Sequence, residues 1–337
     1  MKNEKDRVTI YQVAHLAGVS LATVSRVINH RGNVTPDTEE KVQAAIKSLN
    51  YRPSGLAQAL ATSKSTNIGV VIPSANYVYL SNMLNGISEV ARDKGFIISL
   101  FTTSHSDKEA HEAIEKVIRS HVDGAIIFND ELNNEKGAEL ISSDHYNVPV
   151  IAIDHVITSE RAGYITLGYS ELLRDVIKSY YKNGGDKQMY FVRVYDGGQL
   201  LKKCESVFNS TLTELGKKHY LLDSDDSYTR TYGDFINIFK KQKNGYFIAY
   251  RDSIAAAILN AATDSGLKVP DDIEILSLVG TKYANIVRPT LTSMQISMSE
   301  VGKRAMYMLI DLINGSQGPK SYLFSPVLTP KSSTKFN

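Results

Sequence analysis

The sequence predicts a small all-α head, a short hinge, and an α/β body of two Rossmann-like lobes. Three observations lead there. Helix-start signals crowd the first 50 residues, basic charge gathers in the same stretch, and from Asn67 onward short apolar runs alternate with amphipathic segments. With 337 residues, 42% of them hydrophobic and 22% charged, the chain can bury more than one core and has room for two or three domains.

Thr9-Ile10-Tyr11-Gln12 has the spacing of a capping box, in which the Thr and Gln side chains each satisfy an orphan N–H at a helix start. A first helix is expected from Ile10 to Ala17. Gly18 supplies the permissive backbone for a tight turn, and Ser20 can cap a second helix over Leu21 to Ile28. Thr35-Pro36-Asp37 repeats the start signal, and a third helix is expected to reach about Leu49, with Val42, Ala45, Ile46 and Leu49 as its apolar stripe. Val13, Ala17, Val19, Val24 and Val27 would close a minimal core.

The short turn between the first two helices is the geometry of a helix-turn-helix, whose second helix projects into a DNA major groove. On that helix Val24, Val27 and Ile28 face inward, and Leu21, Ala22, Thr23, Ser25 and Arg26 face outward. Small side chains let the backbone approach base edges, while Arg26 offers the fork that matches guanine O6 and N7. Ser20, Thr23 and Asn29 are placed to hydrogen-bond phosphates, and Thr9 and Tyr11 on the first helix join the candidate contacts. Residues 1–66 hold nine Lys/Arg against five Asp/Glu, a net of +4, so the remainder carries −2 of the chain's +2. A basic head on a slightly acidic body suits an approach to phosphates. Spacing and charge alone also fit a simple packing module with a solvated end.

In the body, Ile68 to Pro73, Phe96 to Thr103, Gly124 to Phe128, Val148 to Asp154, Gln188 to Val194, Tyr246 to Tyr250 and Ile273 to Val279 read as buried strands. Leu80 to Asp93, Lys108 to Ser120, Ser170 to Tyr181 and Ser253 to Ser265 read as the helices between them. That rhythm predicts parallel sheets covered on both faces, and about nine such units exceed one comfortable sheet. Two lobes are therefore expected, with ligands at the C-terminal strand ends in the cleft between them.

Catalysis, cofactors and metals are not expected. The chain has no Gly-x-Gly-x-x-Gly after a strand, no Walker loop and no Gly-x-Ser-x-Gly, and its eight histidines form no His-x-x-x-His pair. Asp223 to Asp226 lacks the twelve-residue calcium pattern and reads as a solvated loop. One cysteine, Cys204, offers neither a disulfide nor a metal cluster. The apolar runs fall far short of the roughly 18 to 20 residues of a membrane span. The charged start, Met1 to Arg7, leads into no apolar segment of an export signal, so a cytoplasmic address is expected. A sugar-handling or sugar-binding α/β protein with no DNA role is the alternative, resting on fold analogy alone.

Val8-Thr9-Ile10-Tyr11-Gln12-Val13-Ala14, Ala17-Gly18-Val19-Ser20 and Ala22-Thr23-Val24-Ser25-Arg26-Val27-Ile28-Asn29 together resemble the head of the LacI/GalR repressor family. The resemblance continues through Asn33-Val34, Lys41-Val42 and Leu49-Asn50-Tyr51-Arg52-Pro53, then Ile68 to Pro73, Val122-Asp123-Gly124 and Val287 to Thr292. Its wording is nearest the catabolite control branch of Gram-positive bacteria. It implies a transcription regulator, a repressor of sugar or carbon metabolism, that binds double-stranded operator DNA as a homodimer. It also implies a hinge helix in which Leu60, with Ala57 beside it, wedges into the minor groove, and a periplasmic-binding-protein-like body. The expected division is a head at 1–50, a hinge helix and linker at 51–66, a first lobe at 67–166 with 293–323, and a second lobe at 167–292 with 324–337.

In the cleft the chain departs from its relatives. By the same resemblance, sugar-responsive members carry an arginine where Cys204 stands and an aspartate where Val279 stands, while Asp154 and Asp252 are retained. Arg251 replaces a neutral polar residue, with Lys202, Lys203 and Arg193 expected close by; Tyr79 and Tyr195 complete the candidate set. The effector is then a sugar or, given these exchanges, a small anionic metabolite. The alternative is a phosphocarrier partner on the first lobe, gripped by Lys303 and Arg304 beside Tyr307.

Overall fold

The computed structural model describes residues 8–29, 32, 34–51, 65–73, 78–103, 107–128, 148–157, 159–194, 198–225, 227–315 and 320–335, with backbone alone at Val78 and Asp107. The expected hinge, with Ala57 and Leu60, lies outside these residues, as does Tyr195. The chain divides into two compact units, Met1–Thr66 and Asn67–Asn337.

The first unit holds α1 (Ile10–Ala17), α2 (Leu21–Ile28) and α3 (Pro36–Ser48). The Thr9 N–H donates to Gln12 Oε1 at 2.8 Å, and Ser20 Oγ accepts from the Thr23 N–H at 3.2 Å, so the first two helices start where their caps predict. Gly18 takes φ +66° and ends α1 in the left-handed conformation, where a side chain would be strained. Val13, Val24 and Val42, one from each helix, are completely buried and make the centre of the small core.

The second unit holds two six-stranded sheets. The first takes β1 (Asn67–Ile72), β2 (Ile97–Thr102), β3 (Gly124–Phe128), β4 (Val150–Ile153), β5 (Ala162–Leu167) and β11 (Ser321–Phe324), in the order β11-β5-β4-β3-β1-β2 and parallel throughout. The second takes β6 (Met189–Val194), β7 (Tyr220–Ser224), β8 (Gly245–Arg251), β9 (Ile273–Val279), β10 (Thr292–Gln295) and β12 (Val327–Thr329), in the order β12-β10-β9-β8-β6-β7. Only the β10–β12 pair in it is antiparallel. Strands β3, β4 and β9 are buried at every position, which is why they read as continuous apolar runs. Between the strands lie α4 (Val78–Lys94), α5 (Asp107–Arg119), α6 (Tyr169–Lys182), α7 (Gln199–Glu214), α8 (Tyr228–Ile238), α9 (Asp252–Asp264), α10 (Tyr283–Ile286) and α11 (Met298–Ile313).

The chain leaves the first sheet after Leu167, returns to it after Gln295 and leaves again after Phe324. The boundary expected at 293 is corrected here. Thr292 and Ser293 pair with Leu276 and Ser277 of β9, so β10 belongs wholly to the second sheet. Parallel pairing holds the chain in that sheet until the strand ends. Helices α4 and α11 pack closely because Gly86 and Gly302 face the backbone of each other's helix; a Cβ on either would run into the carbonyl of Ser299 or Met83.

Candidate nucleic-acid interface and interlobe cavity

On α2 the burial divides as the sequence predicts: Val24 and Val27 are in the core, while Leu21, Ala22 and Arg26 are exposed. Thr23 and Ser25 are half-buried at the edges of that face. Tyr11 stands 68% exposed on α1, too large an apolar ring to leave in water without a use. Some candidate phosphate contacts have local work as well. Ser20 Oγ and Thr23 Oγ1 lie 2.9 Å apart, and Asn29 Nδ2 donates back to the Ser25 carbonyl at 2.8 Å, closing the end of α2. These bonds hold the polar groups in set positions at the two ends of the helix.

Between the lobes lies a small cavity built as open α/β sheets build ligand sites, from the C-terminal ends of strands and the starts of the following helices. Phe128, Asp154 and Leu167 come from the ends of β3, β4 and β5, with Tyr79 from α4 and Met298 from α11; Tyr169, Leu200, Tyr250 and Val279 come from the second lobe. The side chains leave space for about one water molecule. Tyr79 packs edge-on against Phe128, with centroids 6.1 Å apart. Three of the expected cleft residues, Tyr79, Asp154 and Val279, are therefore on its wall. The apolar lining was not singled out from the sequence, although Phe128 and Leu167 end predicted or observed strands and that rule could have found them.

Asp154 is buried and takes φ +61°, a left-handed conformation that Asp tolerates better than most side chains. Its carboxylate lies 3.6 Å from Lys203 Nζ on α7, an ion pair that crosses from one lobe to the other. His155 beside it is held neutral, its pKa lowered to about 4 by burial and by the Lys203 charge. Cys204 is completely buried; burial and the Asp154 charge push its thiol up to about 12, so it is a packed neutral thiol and not a nucleophile.

Asp252 and Arg251 are not on the cavity wall. Asp252, the first residue of α9, is buried and accepts hydrogen bonds from the Thr281 N–H, from Thr281 Oγ1 at 2.8 Å and from the Ala284 N–H at 3.1 Å. It ties the loop after β9 to the start of α9, a structural duty in place of the expected effector contact. Arg251 lies over the Tyr250 ring, its guanidinium carbon 5.0 Å from the centroid. Arg193 is clamped between Glu205 at 2.9 Å and Asp223, and Lys202 borders a separate groove along α7. Among the described residues the one ionisable acid or base in the cavity lining is the Asp154 carboxylate, so the lining does not provide the positive charge an anionic effector needs.

The expected partner-binding cations are also engaged. Lys303 bridges α11 to α4 through Glu89 at 3.0 Å and pairs with Glu300 at 3.5 Å, and Glu89 holds its pKa above the ordinary lysine value. Arg304 stacks on Tyr322 at 4.4 Å, leaving Tyr307 as the exposed member of the trio.

Comparison with known proteins accounts for both units. The family model for bacterial regulatory proteins of the lacI family matches residues 9–54, and a periplasmic binding protein-like domain matches residues 229–334. Catabolite control protein A of Priestia megaterium is 31% identical over 314 residues, covering 91% of this chain and 93% of that protein. The HTH-type transcriptional regulator pepR1 of Lactobacillus delbrueckii subsp. lactis is 29% identical, with 98% of each covered. Among solved structures, the lac repressor dimer bound to operator and the anti-inducer ONPF superposes with a TM-score of 0.82 at 24% identity, covering 97% of this chain and 99% of that one. These relatives are regulators and not enzymes. A chain with this head, this two-lobed body and this identity over nine-tenths of its length belongs to the LacI family of DNA-binding transcription regulators.

Proposed function

We propose that this regulator is a repressor of sugar or carbon metabolism that binds a pseudo-palindromic operator as a homodimer, with α2 of each head in a major groove. The carrying observation is the division of α2 between a sealed apolar side and an exposed face of Leu21, Ala22 and Arg26. Short side chains let the start of the helix approach the bases, and an exposed guanidinium can take both acceptors of one guanine. A single short helix reads few base pairs, so a second head related by a two-fold axis supplies the rest of the site. The identity to catabolite control protein A supports carbon metabolism as the regulated theme. The likeness to a lac repressor dimer on its operator supports a two-fold complex with double-stranded DNA. Leu60, with Ala57 beside it, is the proposed wedge at the central base step.

Control enters through the body, by a small effector between the lobes or by a phosphocarrier partner on the first lobe. The Asp154 carboxylate in the lining supports a sugar over an anionic metabolite. Selection of bound sequences from random DNA by the full chain tests the operator proposal. Two half-sites in inverted repeat are expected; a single asymmetric half-site bound by a monomer would overturn it.

A further inference from the structure

The cavity between the lobes is closed by its own side chains. Apolar groups from both lobes, among them Phe128, Leu200 and Tyr250, meet with room for about one water between them. The carboxylate of Asp154 is 2% exposed at this seam, and a buried carboxylate is strongly disfavoured unless a cation comes with it. The cation comes from the opposite lobe: Lys203 Nζ stands 3.6 Å away at the end of a side chain that is 40% exposed. The lysine thus runs along the cleft edge and delivers its ammonium inward, as long amphipathic side chains do. Neither neighbour supplies a charge in its place, since His155 is kept neutral and Cys204 is a buried thiol.

We propose that Lys203 is a tethered ligand: its ammonium occupies the polar position of the cleft at Asp154 and holds the two lobes closed with no small molecule bound. In a two-lobed binding fold, a diffusible ligand closes the cleft by touching both lobes at once. Here one covalently attached group does so, and its effective concentration at Asp154 is set by the fold and not by the surroundings. The proposal concerns the body alone and stands or falls separately from the operator reading.

Hydrogen exchange on the full chain tests it, read at residues 150–157 and 199–212, the two sides of the pair. Lys203→Met keeps an apolar stem and removes the charge; exchange in both segments is expected to become about tenfold faster, while β8 and β9 stay protected. In Lys203→Ala, millimolar ethylammonium chloride is expected to restore protection where the same concentration of sodium chloride does not. The double variant Asp154→Asn, Lys203→Met retains the folded sheets with no buried unpaired charge, and it is expected not to respond to ethylammonium. Exchange of Lys203→Met at the wild-type rate would overturn the proposal. So would ethylammonium rescue in the double variant, or a gain of cleft protection in the wild type on adding millimolar glucose or glucose 6-phosphate.

Discussion

Replacing Asp252 by alanine should cost the body about 3–5 kcal/mol and leave the DNA-reading head intact. The carboxylate is 2% exposed and accepts three hydrogen bonds, two from backbone N–H groups of Thr281 and Ala284 and one from the Thr281 hydroxyl. Hydrogen bonds to a charged group are worth about 1.5–3 kcal/mol each, so three come to about 4–9 kcal/mol gross. Burying the carboxylate sets several kcal/mol against that sum, and removal of one partner from such a buried cluster typically costs about 3–5 kcal/mol. Its place in the first turn of α9 adds to the loss, because a negative charge there meets the positive end of the helix. Asp252→Asn keeps the shape and one acceptor oxygen, and should cost about half as much. Urea unfolding followed by tyrosine fluorescence suits a chain with 19 tyrosines and no tryptophan. An unchanged urea midpoint for Asp252→Ala, together with lost response to a sugar, would refute the structural assignment and return Asp252 to the effector site.

Three further outcomes are expected. Arg26→Ala should cost roughly 1–3 kcal/mol in operator binding and relax the preference at one position of each half-site; an unchanged preference in selected sequences, with only a weaker salt dependence, would mean a phosphate contact instead. The pKa of His155 is lowered from 6.5 to about 4, so the folded state binds its proton less well than the unfolded one; its contribution is present above about pH 6.5 and is lost as the pH falls to about 4, about 3 kcal/mol in all. His155→Gln should therefore flatten the difference between urea midpoints measured at the two ends of that window, and an equal decline in both proteins would count against it. Gly302→Val should loosen the packing of α4 on α11 by driving a side chain into the Met83 carbonyl, read as a lower melting temperature of the body with unchanged head contacts on DNA.

What the sequence determined by itself was local. The capping residues Thr9 and Ser20, the turn at Gly18 and the spacing of Val13, Val24 and Val27 act within one or two helical turns, so the head could be read residue by residue. The buried strands of the body announced themselves as apolar runs because both faces of each sheet are covered. The short, partly exposed β7, with Tyr220 on the surface, gave no such run and was not picked out. Only the tertiary structure decided what the cleft residues do. Asp154 and Asp252 look equivalent in sequence, each a carboxylate just after a strand. One faces across the lobes to Lys203, while the other is turned into the loop at Thr281 and Ala284. Arg251, read as added cleft charge, lies on Tyr250 and off the wall, and Lys203, one turn into α7, is the cation that reaches the seam. Charge type is written in the chain, but a partner is chosen by which strand end and which helix start the two sheets bring together, and that arrangement has no signature within a short stretch of sequence.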